Sequence, residues 1–129
     1  MLLTIDFSSS EPIYMQIRNA IVTGIAVGTL RDGDPLPSVR TLGAELGVNL
    51  HTVNKTYKLL QSEGFIDILR NHGTVIHAGD AAKNAARFLE GAGASMHAVV
   101  SEAITRGVDR SVIHAMIDNL YDEIGGKPL

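Results

Sequence analysis

The stretch from Gly33 to Ile76, GDPLPSVRTLGAELGVNLHTVNKTYKLLQSEGFIDILRNHGTVI, decides the fold. Its order is a Pro-bounded lead-in, a short helix, a Gly turn, a second helix, a strand, a tight polar loop and a returning strand. Ser38 is a good N-cap for a helix carrying Val39, Leu42 and Leu46 inward, because its hydroxyl can accept from an orphan backbone N–H. Gly47 ends that helix, since glycine takes a left-handed φ without a Cβ penalty. Asn49 caps the next helix, whose inward face is Val53, Tyr57 or Thr56, and Leu60. Its outward face, at steps of three or four, is His51, Asn54 or Lys55, and Lys58. Gly64 stops it. Phe65 to Leu69 reads as a strand, Arg70-Asn71-His72-Gly73 as a turn, and Thr74 to His77 as the returning strand. A helix-turn-helix followed by such a two-stranded wing can lay one helix in a DNA major groove and a loop beside it.

On the N-terminal side, Leu3, Ile5 and Phe7 alternate with Thr4 and Asp6, which suggests a short extended arm. A first helix is expected from about Glu11, with Pro12 in its opening turn and Ile13, Ile17, Ala20, Ile21 and Val27 on one face. Asp32 to Pro37 then makes a turn-rich connection. Beyond Gly79 the pattern changes. Ala82, Ala85, Leu89, Ala92, Met96, Val99 and Ala103 keep a helical spacing without a slip, and Asp80 could cap this helix. Unbroken from Ala81 to Arg106 it would run about 40 Å, although Gly91 and Gly93 each cost about 1 kcal/mol and leave a break near Ala92 as the rival reading. Gly107 ends it, and Asp109 caps a last helix with Val112, Ile113, Met116, Ile117, Leu120 and Ile124. Two such helices cannot bury both apolar faces alone. Packing against the same helices of a second copy is the preferred solution, with folding back onto the winged domain as the other. The interface expected is Leu89, Met96, Val99, Ala103, Ile113, Met116, Ile117 and Leu120. The fold class is therefore α+β: a winged helix-turn-helix domain over residues 1–78 and a helical dimerisation region over 79–125.

Composition narrows the function. The 129 residues fit one domain with an appendage, and nearly half are apolar. No apolar run has the length of about 18 residues that a membrane helix needs. The opening MLLTIDFSSS lacks a basic n-region and is not a secretory signal. There is no cysteine, so no disulfide framework or thiolate metal site is available; a reducing cytoplasm is the expected compartment. None of the five histidines is paired with another at i, i+3 or i, i+4, and no cofactor or metal is implied. There is no nucleophile motif and no phosphate-cradling Gly loop, so an enzyme is the weakest class. The net charge of −3 argues mildly against nucleic acid, but Lys55 and Lys58 lie in a stretch from Leu46 to Gln61 that holds no acid, with Arg40 before it and Arg70 after it.

Leu36-Pro37-Ser38-Val39-Arg40, Leu42-Gly43, Leu46-Gly47-Val48-Asn49, Thr52-Val53, Leu60, Glu63-Gly64 and Gly73-Thr74 together resemble the GntR family of bacterial transcription regulators. The likeness runs from Pro12 to about Ile76. The opening Asp6, Ser8-Ser9, Pro12-Ile13-Tyr14 and Gln16-Ile17, and the short helical C-terminal part, resemble the YtrA-like branch, in which two helices dimerise the protein. The resemblance implies a homodimeric repressor of a palindromic operator, often its own promoter, commonly beside ABC-transporter genes. Other branches often have arginines where this chain has Leu50 and Asn54, so their base contacts do not carry over.

The DNA contacts expected are Ser38, Arg40, Asn49, Leu50, His51, Thr52, Asn54, Lys55, Lys58, Arg70, Asn71, His72 and Gly73. The fork of Arg40 suits phosphate oxygens and guanine, unless a surface acid such as Glu45 pairs with it. Asn54 has the amide that bonds adenine bidentately. His51 and Thr52 occupy the first turn, where a groove-bound helix meets bases or backbone. Lys55 and Lys58 suit phosphate, and the tip at Asn71, His72 and Gly73 could reach a neighbouring groove or the backbone. The expected partners are double-stranded operator DNA and a second copy of the chain, with no membrane. A winged-helix protein-contact module without DNA binding is the alternative. A small-molecule effector pocket between tail and wing is compatible with the DNA-binding reading, and no residue pattern names its ligand.

Overall fold

The computed structural model describes residues 3–69 and 73–125. Its elements are helix α1 (Ile13–Val27), strand β1 (Pro35–Leu36), helices α2 (Val39–Leu46) and α3 (Leu50–Ser62), strands β2 (Ile66–Leu69) and β3 (Gly73–Ile76), a 3-10 helix (Ala78–Asn84), and helices α4 (Ala85–Thr105) and α5 (Arg110–Ile124). They divide into two compact units, Met1–Ala82 and Lys83–Leu129.

The caps form as their chemistry requires. Ser38 Oγ accepts from the Thr41 N–H at 3.1 Å, and Asn49 Oδ1 accepts from the His51 N–H at 2.7 Å. Gly47, at φ 70°, closes α2 in the left-handed region. The turn into α3 is close because Gly43 faces it: a Cβ there would stand 2.9 Å from the Val48 carbonyl oxygen. That oxygen belongs to the backbone and cannot swing aside.

The core of the first unit takes one or more side chains from each of α1, α2 and α3 and from each of the three strands. Ile17 and Ile21 come from α1, Leu36 from β1, Leu42 from α2, Val53, Tyr57 and Leu60 from α3, Ile66 from β2 and Ile76 from β3. The inner face of α3 is therefore the centre of the domain, and Val53, Thr56, Tyr57 and Leu60 are all buried. Its two polar members are satisfied. Thr56 Oγ1 lies 3.1 Å from the carbonyl oxygens of both Tyr14 and Thr52, and Tyr57 Oη donates to Pro37 O at 2.7 Å. At the far end of α3, the Arg18 guanidinium forks onto Glu63, at 3.0 and 3.2 Å, and lies 5.6 Å over the Phe65 ring.

The structure corrects the sequence reading in several places. The sheet has three strands in the order β1-β3-β2, not two. Pro35 pairs with Val75 and Leu36 with Thr74, antiparallel, inside what reads as a turn-rich connection. Two residues are too short to show alternation, and a proline without an N–H marks an edge strand as readily as a turn. Just before the strand the link is anchored by Gly33 N–H to Ile76 O at 2.7 Å and Ile76 N–H to Asp34 O at 2.8 Å. In α1, Ala20 and Val27 are exposed, and Gly24 is buried in their place beneath Leu30. In the arm, Leu3 and Ile5 pack on the core while Phe7 is exposed. The arm is pinned by the Gln16 amide, which accepts from Asp6 N–H at 2.9 Å and donates to Asp6 O at 3.0 Å.

In the second unit α4 runs through Gly91 and Gly93 without a break. It begins at Ala85 after the 3-10 helix, so Asp80 does not stand at its N-cap as expected. Asn84 stands there, with no side-chain capping bond. Asp109 does cap α5, accepting from Ser111 N–H at 3.0 Å. No residue of α4 or α5 is buried, and the two helices make few contacts with each other.

Two stability predictions follow from the packing around α3. Gly43→Ala should cost about 1–3 kcal/mol in urea unfolding, because the new methyl overpacks against backbone; an unchanged midpoint would mean the turn is looser than described. Burial pushes the Tyr57 phenol above its ordinary pKa, and the nearby charge of Glu45 adds to the effect. A raised folded pKa gives stability that is fully present below the unfolded value of about 10 and lost as pH climbs past it. Thermal unfolding should therefore fall off above about pH 10, and Tyr57→Phe should flatten that alkaline decline. It should also cost about 1 kcal/mol at neutral pH for the bond to Pro37 O.

Candidate nucleic-acid interface

With its inner face committed to the core, α3 turns a polar face outward. His51, Lys55 and Lys58 are exposed, while Leu50, Thr52 and Asn54 are half-buried. Ser38, Arg40 and Asn49 are exposed at the starts of α2 and α3, and Gly73 is exposed at the start of β3. Arg70, Asn71 and His72 lie outside the described residues.

Hydrogen bonding sorts these side chains. Those of Ser38 and Asn49 are engaged as helix caps. Arg40 and Lys58 have no ion-pair or hydrogen-bond partner among the described residues, so the pairing of Arg40 with Glu45 weighed from the sequence is not formed. Lys55 is held differently: its Nζ sits 4.0 Å from the centroid of the Tyr14 ring on α1. The positive groups are thus offered outward rather than consumed by carboxylates. Two acids of this unit are engaged elsewhere, Glu63 on Arg18 at 3.0 Å and Asp67 on His77 at 3.5 Å.

The described residues include no group of three or more His, Asp or Glu able to hold a metal ion. No helix among them is long and apolar enough to cross a membrane. A groove of about 350 Å³ lies between α4 and α5, lined by Val100, Ala103, Ile104, Val108, Arg110, Ile113 and His114.

The tail has the other unsatisfied surface. Leu89, Met96, Val99, Met116 and Leu120 are exposed, and Ala103, Ile113 and Ile117 are half-buried. Phe88, Ile104 and Tyr121, absent from the sequence-based interface, are exposed by 67%, 72% and 76% and make the apolar surface wider than one stripe. Tyr14 was also missed. Its place in a helix start reads as packing, and only the joint of α1 and α3 brings it to Lys55.

The sequence pattern of bacterial regulatory proteins of the gntR family matches residues 10–76. Over 75 residues the chain is 44% identical to the HTH-type transcriptional repressor YtrA of Bacillus subtilis (strain 168), covering 58% of each protein. The matches span only 58%, 61% and 59% of the length of three such curated relatives. Among solved structures, YtrA from Sulfolobus acidocaldarius, a GntR-family transcription factor, is 39% identical with a TM-score of 0.59, over 74% of this chain and 99% of that one. A transcriptional antiterminator from Listeria monocytogenes EGD-e is 26% identical with a TM-score of 0.77, over 100% of this chain and 96% of the other. The helix-turn-helix, its wing and these likenesses agree: the chain belongs to the GntR family of bacterial regulatory proteins, in its YtrA-like branch.

Proposed function

We propose that this chain is a sequence-specific DNA-binding transcription regulator that works as a homodimeric repressor. The observation that carries the reading is the outer face of α3, cationic and free of acids on a helix whose other face is fixed in the core. In this reading α3 enters the major groove and the wing lies at an adjacent groove or backbone. Arg40 and Lys58 supply attraction that the net charge of −3 does not. Asn54 and His51 are the groups that read bases, Thr52 and Asn49 lie at the backbone, and Leu50 offers an apolar contact. Arg70, Asn71, His72 and Gly73 form the wing contact.

The exposed apolar surfaces of α4 and α5 support self-association. Helices with no buried residue gain little from folding alone, and a second copy supplies the missing partner. Residues 79–125 then act as the dimerisation region and residues 1–78 as the DNA-binding domain. The likeness to YtrA extends the proposal to repression of the chain's own operon and of neighbouring ABC-transporter genes.

A gel shift against the DNA upstream of its own gene tests the reading. Arg40→Ala should weaken binding by about 1.5–3 kcal/mol, the worth of a hydrogen bond to a charged phosphate. Undiminished affinity would remove Arg40 from the interface. For the tail, sedimentation should show a dimer that Met116→Glu converts to monomer with loss of operator binding. A wild-type monomer at micromolar concentration would contradict the dimer.

A further inference from the structure

The contact between Tyr14 and Lys55 carries more than packing. Lys55 is exposed on the outer face of α3, yet its ammonium is held 4.0 Å from the centre of a ring on another helix. The ring is itself fixed in register. The carbonyl of Tyr14 accepts the Thr56 hydroxyl at 3.1 Å, so the residue next to Lys55 ties the two backbones together. Beyond that bond, Ile13 packs against the core and Ile17 is buried within it, so α1 cannot slide under α3.

The choice of an aromatic holder has a chemical consequence. A carboxylate would hold a lysine and also neutralise it. A ring face attracts the cation through its quadrupole and leaves its charge and its outward N–H donors available. No acid lies between Leu46 and Gln61 to compete for the ammonium. A lysine so held has already given up much of its rotamer freedom, so ordering it against a partner costs less than ordering a free one. A flat aromatic face beneath an exposed cation suits a ligand that arrives from outside and accepts point-charge contacts, as a DNA phosphate does.

We infer that Tyr14 is a positioning residue that presents the Lys55 ammonium to a backbone phosphate of the bound duplex. This role rests on the DNA-binding reading proposed above. It assigns Lys55 to affinity and register rather than to base choice, and it adds to the interface a residue of α1 that does not itself touch DNA.

Fluorescence anisotropy with the full chain and a labelled duplex from its own upstream region tests the role. Lys55→Gln should weaken binding to specific and random duplex alike and lower the slope of log K against log salt by about 0.9, the loss of one phosphate contact. Tyr14→Leu should weaken binding about two- to fivefold, while Tyr14→Phe, which keeps the ring face, should match the wild type. In a Lys55→Gln background, Tyr14→Leu should have no further effect. In the free protein and in the complex, NMR should find the Lys55 ε-methylene protons shifted upfield by the ring, whether or not the Leu variant folds. The role is overturned by a Tyr14→Leu loss that is equal in both backgrounds, by no loss at all, or by an upfield shift that vanishes on DNA. Wild-type protein that binds no duplex overturns the DNA reading and this role together; wild type that binds while Tyr14→Leu changes nothing overturns this role alone.

Discussion

Everything that α3 offers to the outside depends on how its inside is held. Val53, Thr56, Tyr57 and Leu60 leave no exposed surface on that face, and the two hydroxyls among them are bonded to Tyr14 O and Pro37 O. These bonds reach opposite neighbours: one goes to α1, the other to the segment just before α2. Gly43 then lets the turn between the two helices come close, with the Val48 carbonyl oxygen and the Leu50 backbone against the place a side chain would take. An unbonded hydroxyl here would leave a buried polar group at a cost of about 1–3 kcal/mol, so the same bonds that orient the helix also stabilise the domain. A helix fixed on one side can hold a set of short polar groups on the other within the tolerances that base contacts demand.

The tail obeys a different rule. Its helices are well formed locally, with Asp109 capping α5 and Gly107 closing the turn at φ 72°. Among the described residues, none on either helix is buried, and most of their large apolar side chains stay exposed. The first unit is a closed solution to its own hydrophobic problem, and the second is an open one. That contrast supports the proposed assembly, in which the part that closes on itself meets DNA and the part that stays open meets a copy.

Much of this was legible in the chain, for reasons particular to certain residues. Ser38, Gly47, Asn49 and Asp109 act through chemistry confined to a few neighbouring positions, and each formed the cap or turn its type dictates. Spacing put Val53 and Leu60 on the inward face of α3 and left Thr56 or Tyr57 open between them; the structure buries both. What stayed hidden involved partners distant in sequence. Strand β1 exists because β3 offers it an edge, and Pro35-Leu36 has no pattern of its own. Gly24 is buried because Leu30 folds back over it. The grip of Tyr14 on Lys55 needs the α1–α3 joint. In the tail, the periodic stripe covered part of the apolar surface but not its width, since Phe88 and Tyr121 share a helical step with it and were passed over for their neighbours Leu89 and Leu120.

The most direct test is a hydroxyl-radical footprint of the full chain on a duplex selected for tight binding from random sequence. Two protected segments of inverted sequence, about one helical turn apart and saturating at two chains per duplex, are the predicted result. A single protected segment saturating at one chain, or no enrichment of any sequence over random DNA, would contradict the account.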